Sequence, residues 1–289
     1  MIADRISDPD LGLRVMLHEA EAQQTRDRRI RDLGDGWLLH DTKDAEPFWT
    51  RLIAPRWAVA ERAFDRRLDE VVTLFATLDR LPHVRPAPAG SEPADLADRL
   101  RRYGFDEVSA DRRMALADDA ACVSLAATWD GHARSRRWPG PLAVDRIGGV
   151  AAGRGLARRR WAEQASLVLA EAFAVDPLRR SLLEGDALAC VARPGCTILL
   201  LRAAEEPIAV ARVAIAGDGA YLSSIGVRPA WRRRGYGARV TALAVADALA
   251  AGCRLIHLAV DVDNAAARRL YEGLGFEVVG GPVPDLLLR

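Results

Sequence analysis

Lysine is nearly missing from this chain. Lys43 is the only one among 41 lysine and arginine residues in 289. We read that as a coding bias toward GC-rich codons, without functional meaning. Net charge is also missing: 40 acidic residues leave a balance of +1. Nothing therefore draws the whole molecule toward nucleic acid or a membrane surface. No apolar run approaches the roughly 20 residues that span a bilayer. The opening MIADRISDPD has charges and no apolar centre, so it does not read as a secretory signal, and the cytoplasm is the expected location. The four cysteines (Cys122, Cys190, Cys196 and Cys253) form no Cys-x-x-Cys pair and no zinc-like spacing with histidine. Four reduced, mostly buried thiols and no metal are expected. With half the residues hydrophobic and a mean hydropathy of −0.04, a globular protein of one large or two ordinary domains is indicated.

Taken in order, the chain alternates helix and strand. A helix is expected over 11–24, strands at Trp37–His40 and about 48–53, and a helix from Ala63. In that helix Phe64, Leu68, Val71, Val72, Phe75 and Leu78 make one apolar face. Pro82 ends it, and a proline-rich extended piece follows to Pro88. A helix over 92–103 then leads through Gly104-Phe105 into a strand. The polar stretch 117–141 has breakers at Trp129-Asp130-Gly131 and Trp138-Pro139-Gly140-Pro141, and the domain boundary is placed near Pro139. Beyond it come a strand (142–147), a helix (156–173), a short helix or loop (176–186) and a hairpin (196–202 with 208–215). A strand from Ala220, a long helix (238–251), a strand (255–260), a helix (264–273) and strands from Phe276 complete the chain. This is an α/β pattern with a mixed sheet, α+β in its antiparallel parts.

The densest signal is AYLSSIGVRPAWRRRGYG, from Ala220 to Gly237. Tyr221, Leu222, Ile225 and Val227 suit a mostly buried strand, and Arg228-Pro229 ends its ladder. Gly235 and Gly237 then open a long helix. A helix N-terminus presents unpaired N–H groups and about half a positive charge, so a glycine-lined one suits a phosphate. The spacing Arg232-x-x-Gly235-x-Gly237, followed by Asn264 and Leu270-Tyr271-Glu272-x-x-Gly275-Phe276, resembles the GNAT N-acetyltransferase superfamily. The resemblance covers about 142–289. It implies two tandem acyl-CoA N-acyltransferase (GNAT) domains, a degenerate copy at 1–138 and a catalytic copy at 139–289. The units ADRLRRYGFDEV and ARRLYEGLGFEVV repeat across the two halves. The first half nevertheless has no glycine between Gly36 and Gly90, where its phosphate loop should lie, and has Leu100 in place of Tyr271.

The resemblance also implies roles. Ile225 and Val227 would present backbone to the pantetheine arm of acetyl-CoA. Backbone N–H groups of Arg233, Arg234, Gly235, Tyr236 and Gly237 would hold the pyrophosphate, with Arg232 adding charge. Asn264 would contact the pantetheine or a water, or serve as a plain helix N-cap; both roles are compatible. Tyr271 would act as the acid on the leaving thiolate, its alternative being a half-buried packing residue. The reaction implied is direct acetyl transfer from acetyl-CoA to an amine in a ternary complex. The alternative is a non-catalytic acetyl-CoA-binding sensor or structural module. The acceptor, a small molecule or a peptide, and the acyl chain length stay open, as does the choice of monomer or homodimer. So does the base: Tyr221 stands where histone-acetylating relatives have Glu, neither Ser223 nor Ser224 is a good base, and Asp218, Asp261 and the acids of 176–186 are candidates. The glycine run 148–155 lacks P-loop and dinucleotide spacing. The arginine triplets at 158–160 and 232–234 lack interleaved aromatics, which argues against a nucleic-acid partner.

Overall fold

The computed structural model describes residues 10–128, 142–148 and 156–289. The boundary placed near Pro139 and most of the glycine run 148–155 lie outside the described residues. In order the elements are α1 (Leu11–Ala22), β1 (Arg28–Asp32), β2 (Trp37–Asp41), β3 (Arg51–Ile53), α2 (Glu61–Thr77), β4 (His83–Arg85), α3 (Leu96–Tyr103), β5 (Asp106–Leu116) and α4 (Ala120–Ala127). The second half continues with β6 (Leu142–Gly148), α5 (Leu156–Ala172), α6 (Arg180–Val191), β7 (Cys196–Ala203), β8 (Glu206–Ala216), β9 (Gly219–Val227), α7 (Tyr236–Ala250), β10 (Leu255–Asp261), α8 (Ala265–Glu272) and β11 (Phe276–Leu287).

All the described strands join one sheet, in the order β1-β2-β3-β4-β11-β5-β10-β9-β8-β7-β6. Two neighbouring pairs are parallel, β3 with β4 and β9 with β10. Each is joined through one helix, α2 or α7, as a parallel crossover requires. The halves share their middle strands: β5 lies between β10 and β11, and β11 between β4 and β5. The strands that the two repeat units lead into therefore pair, Phe276 standing opposite Leu116 and Leu287 opposite Asp106. Their phenylalanines, Phe105 and Phe276, are both buried.

Helix periodicity explains the layers. On α2, Phe64, Leu68, Val71 and Phe75 are buried against Leu52, Val84 and Leu286. On α7, Val240, Ala244 and Ala248 recur every fourth residue and pack on Leu199, Ala211 and Leu222. The helix α4 falls inside the stretch expected to be polar and broken. Its eight residues, AACVSLAA, are apolar on nearly every side and show no one-sided pattern, and Cys122 is its only fully buried side chain. Strand β1 was not anticipated, because RRIRD has a single apolar residue; it pairs with β2 through its backbone. The expectation of four reduced thiols is corrected. Cys190 at the end of α6 and Cys196 at the start of β7 are joined in a disulfide, while Cys122 and Cys253 are free and buried.

Beneath α1 lies a buried charge cluster. Glu19 meets Arg51 (3.0 Å), Arg113 (3.3 Å) and Arg85 (3.6 Å). Arg85 also pairs with Asp111 and Asp285, and the His83 ring lies 2.8 Å from Asp285. Burial alone would raise the Glu19 pKa, but Arg113, Arg85 and Arg51 outweigh it and hold the carboxyl below its usual value. Asp285 behaves alike: burial opposes, while Arg85 and His83 pull it down. Arg51 falls to about 10 through burial and Arg85, so it stays charged at neutral pH. This network ties α1, β3, β4, β5 and β11 together. Removing one partner strands buried charge, so Glu19→Gln is expected to cost roughly 3–5 kcal/mol in denaturant unfolding. Both folded carboxyl pKa values are depressed. Their contribution to stability is therefore complete above about pH 4 and is lost as pH falls below it.

Candidate functional site

The parallel pair β9–β10 parts company halfway along. Its register runs Leu255–Gly219, Ile256–Ala220, His257–Tyr221 and Leu258–Leu222, and ends there. Beyond that point β9 keeps its other neighbour, β8, as far as Val227 opposite Ala209. Likewise β10 keeps β5 as far as Asp261 opposite Asp111. A gap thus opens between two strands that are each still anchored. Its cause lies in β9. The register against β8 slips between Val210 and Arg212, and Ser224 has φ +50°, so one extra residue bulges from the strand and bends it.

A groove of about 710 Å³ runs through this gap, within the size range of small-molecule sites. Ile225, Gly226 and Val227 form its strand side. Ala172 and Phe173 at the end of α5 close one flank, and Asn264, Leu270 and Tyr271 on α8 the other. Its outer end is the turn into α7, where Arg232, Arg233, Gly235, Tyr236 and Gly237 contribute. Gly235 is the N-cap, in the left-handed region at φ +84°. Any other residue there would pay about 1–2 kcal/mol. The first helical bond shown here is from Arg239 N to Gly235 O, which leaves the earlier amides without helical acceptors. A Cβ on Gly237 would come within 3.2 Å of Leu270 Cδ1, so glycine lets α7 and α8 approach. Arg232, Arg233 and Arg269 add positive charge, and no acidic side chain lines the groove among the described residues. The combination suits an elongated anion with an apolar arm.

The residues singled out from the sequence converge on this groove, except Arg234. That side chain is exposed, with its guanidinium 5.4 Å from the centre of the Trp231 ring. Arg232 lines the groove but also braces it, donating to Val227 O (3.2 Å) and Ala172 O (2.5 Å). Asn264 caps α8: its Oδ1 accepts from Ala267 N at 3.0 Å. Tyr271 is 7% exposed, packs edge-on to Phe276, and is pushed up to about 12 by burial. Phe173, Trp231, Ala266, Ala267, Arg269 and Leu270 also line the groove and were not foreseen. Trp231 and Leu270 lie inside the quoted motifs. Phe173 is 55% exposed, a state no sequence pattern announces.

The candidate bases separate clearly. Tyr221 is buried, stacked on His257, and raised first by burial and then by Glu19. Asp186 accepts from both Arg212 (2.7 Å) and Arg28 (3.2 Å). Burial opposes, but the two guanidiniums hold it below its usual value, which makes it a poor proton acceptor. Asp218 lies in the turn before β9, at the end where the strands are still paired. Asp261 is exposed at the open end of β10 and accepts from Asp263 N.

Residues 157–276 match the model of the Acetyltransferase (GNAT) family. A stretch of 52 residues is 46% identical to mycothiol acetyltransferase from Nocardiopsis dassonvillei; it spans 18% of this chain and only 16% of that relative. In fold the chain is similar to a GCN5-related N-acetyltransferase from Kribbella flavida. There the TM-score is 0.66 at 20% identity, over 96% of this chain and 95% of the other. It is also similar to a tandem GNAT protein from the clavulanic acid biosynthesis pathway. That match has a TM-score of 0.56 at 14% identity and covers 98% and 95% of the two chains. The cap at Asn264 is checked by unfolding: Asn264→Ala is expected to lose about 1 kcal/mol, and Asn264→Asp to lose little.

Proposed function

We propose that this chain, whose residues 157–276 match the GNAT acetyltransferase family, transfers the acetyl group of acetyl-CoA to an amine. The single observation that carries the reading is the groove in the β9–β10 gap, with Tyr271 at its side and the N-terminus of α7, capped by Gly235 with no side-chain cap bond, at its mouth. In this reading the pyrophosphate lies on the amides of Arg233 to Gly237, helped by Arg232 and Arg269. The pantetheine follows Ile225 and Val227, whose edge toward β10 is unpaired, as an added strand would. Asn264 borders it while capping α8.

The amine attacks the thioester directly, and the tetrahedral intermediate expels the thiolate. Tyr271, protonated throughout the physiological range, gives that sulfur a hydrogen bond and its proton. The burial that raises the phenol also disfavours the bare thiolate, so the two affinities move together. The incoming amine must lose a proton. An alkylammonium of pKa about 10.4 is only about one part in 10³ neutral at pH 7. Asp261 or water at the open end takes that proton, since Asp186 is held by two guanidiniums and Tyr221 is a buried phenol.

The division at 138/139 and the inactive first copy belong to this proposal. Where α7 has its glycine turn, α2 is preceded by Ala54–Ala60 without glycine. A hollow of about 400 Å³ beside it is lined by Glu61, Asp65, Arg99 and Arg102, and Arg99 fills the position matching Leu270. Arg99 bonds Val59 O at 2.8 Å and lies over Phe64. The two carboxylates offset the two guanidiniums, so this hollow lacks the net positive charge of the groove at α7. The pairing of Asp186 and the absence of a carboxylate at 221 favour a second reading, an acetyl-CoA binder without turnover.

Calorimetry and thiol release separate these readings. Wild type is expected to bind acetyl-CoA and Gly235→Glu not to, because it sets a carboxylate in a strained turn facing the phosphates. With a panel of amines, Tyr271→Phe should lower turnover by about 10²-fold or more while binding stays close to wild type. Thiol release that no amine stimulates favours the binder; no binding by wild type removes both readings. In pH profiles, turnover at low amine should climb from about pH 7 to 9 as the acceptor deprotonates. A descending limb near pH 9 that disappears in Tyr271→Phe would contradict the raised phenol.

A further inference from the structure

We infer that Ser223 donates a hydrogen bond to the acyl oxygen of the thioester, with its hydroxyl set by Arg212. The inference rests on the acetyl-CoA reading above. Ser223 is the first residue of β9 beyond the last pair with β10, Leu222–Leu258. It stands at the apex of the gap, two residues (about 6–7 Å of strand) further in than Ile225. The thiol end of the donor lies by Ile225 and Tyr271, so the acetyl group is the piece that reaches the apex.

The hydrogen's direction follows from its partners. Arg212 on β8 is directly across from Ser223, and its Nε donates to Ser223 Oγ at 2.8 Å. A serine hydroxyl has one hydrogen and two lone pairs. With a guanidinium on the β8 side, the hydrogen is free to turn away from it, toward β10, where the ladder has just ended. A hydroxyl that accepts from a charged donor is polarised and donates more strongly in turn.

Arg212 is itself held. Its Nη1 donates to Asp186 Oδ2 (2.7 Å), and Asp186 Oδ1 accepts from Arg28 Nη1 (3.2 Å). Arg28 Nε donates to Asp41 Oδ2 at 3.0 Å, and its guanidinium lies 3.3 Å from the centre of the Trp49 ring. Arg28 and Asp41 are almost wholly buried. A ladder of charge-assisted bonds thus runs from β1 and β2 in the first half to Ser223 at the apex of the β9–β10 gap. On this account Arg212, Asp186 and Arg28 are positioning residues and Ser223 is the group that touches substrate.

The test uses acetyl-CoA labelled with carbon-13 at the carbonyl, bound to the full chain and observed by NMR, with calorimetry to confirm binding for each variant. The bound wild-type resonance is expected downfield of free acetyl-CoA. Ser223→Ala should move it back toward the free position, and Ser223→Thr should keep it. Arg212→Met should shift it part of the way although Ser223 remains, and Asp186→Asn serves should that variant not fold. If Ser223→Ala binds and its carbonyl resonance stays at the wild-type position, the inference is overturned. If wild type binds no acetyl-CoA, calorimetry reports failure of the underlying reading, and this inference falls with it.

Discussion

Everything at the candidate site depends on two neighbouring strands that stop pairing. In a continuous sheet the edge of β9 facing β10 would be consumed by the ladder. Here the bulge at Ser224 bends β9 after Leu222, and the strand keeps only its bonds to β8. Backbone that would otherwise be buried and satisfied becomes a surface on which an extended ligand can pair. The helix that follows begins at the mouth of the same gap, because a parallel crossover carries the chain over the sheet from the end of β9. One local irregularity therefore sets an unpaired strand edge and an anion-binding helix start side by side.

A gap in a sheet weakens it, and the rest of the molecule offsets that. β5 crosses from the first half to flank β10, and β11 returns to lie between β4 and β5. The sequence was read as dividing near Pro139, while the described strands of both halves form one sheet. The buried cluster of Glu19, Arg51, Arg85, Arg113 and Asp285 fixes the same strands from the α1 side. Such a cluster is weak as a source of net stability because its charges must be desolvated. Its value is in orientation, since each guanidinium has few places to put its hydrogens. The ladder from Arg28 to Ser223 extends the same logic toward the groove.

Much of this was legible in the sequence, for physical reasons. The periodicity of α2 and the glycines before α7 declare themselves because burial and backbone geometry allow few other residues there. Asn264 was readable as a cap, and the structure makes it one. Strand β1 was invisible because it is held by backbone pairing with β2 and by the buried Arg28–Asp41 pair, neither of which leaves an apolar pattern. Helix α4 was hidden because its short AACVSLAA run has no one-sided pattern, and the Cys190–Cys196 bond by a spacing that fits no familiar pair. The pairing of Asp186 with two arginines could not be read at all: Arg28, Asp186 and Arg212 are brought together only by the packing of the two halves. That contact is what changes Asp186 from a candidate base into a brace.

Hydrogen–deuterium exchange with and without coenzyme A tests the central claim most directly. The account expects coenzyme A to slow exchange across 225–237, the strand edge and the turn into α7. The matching turn at 54–60 in the first half should be unchanged. Protection at 54–60 equal to that at 225–237, or none at 225–237 when binding is saturated, would contradict it.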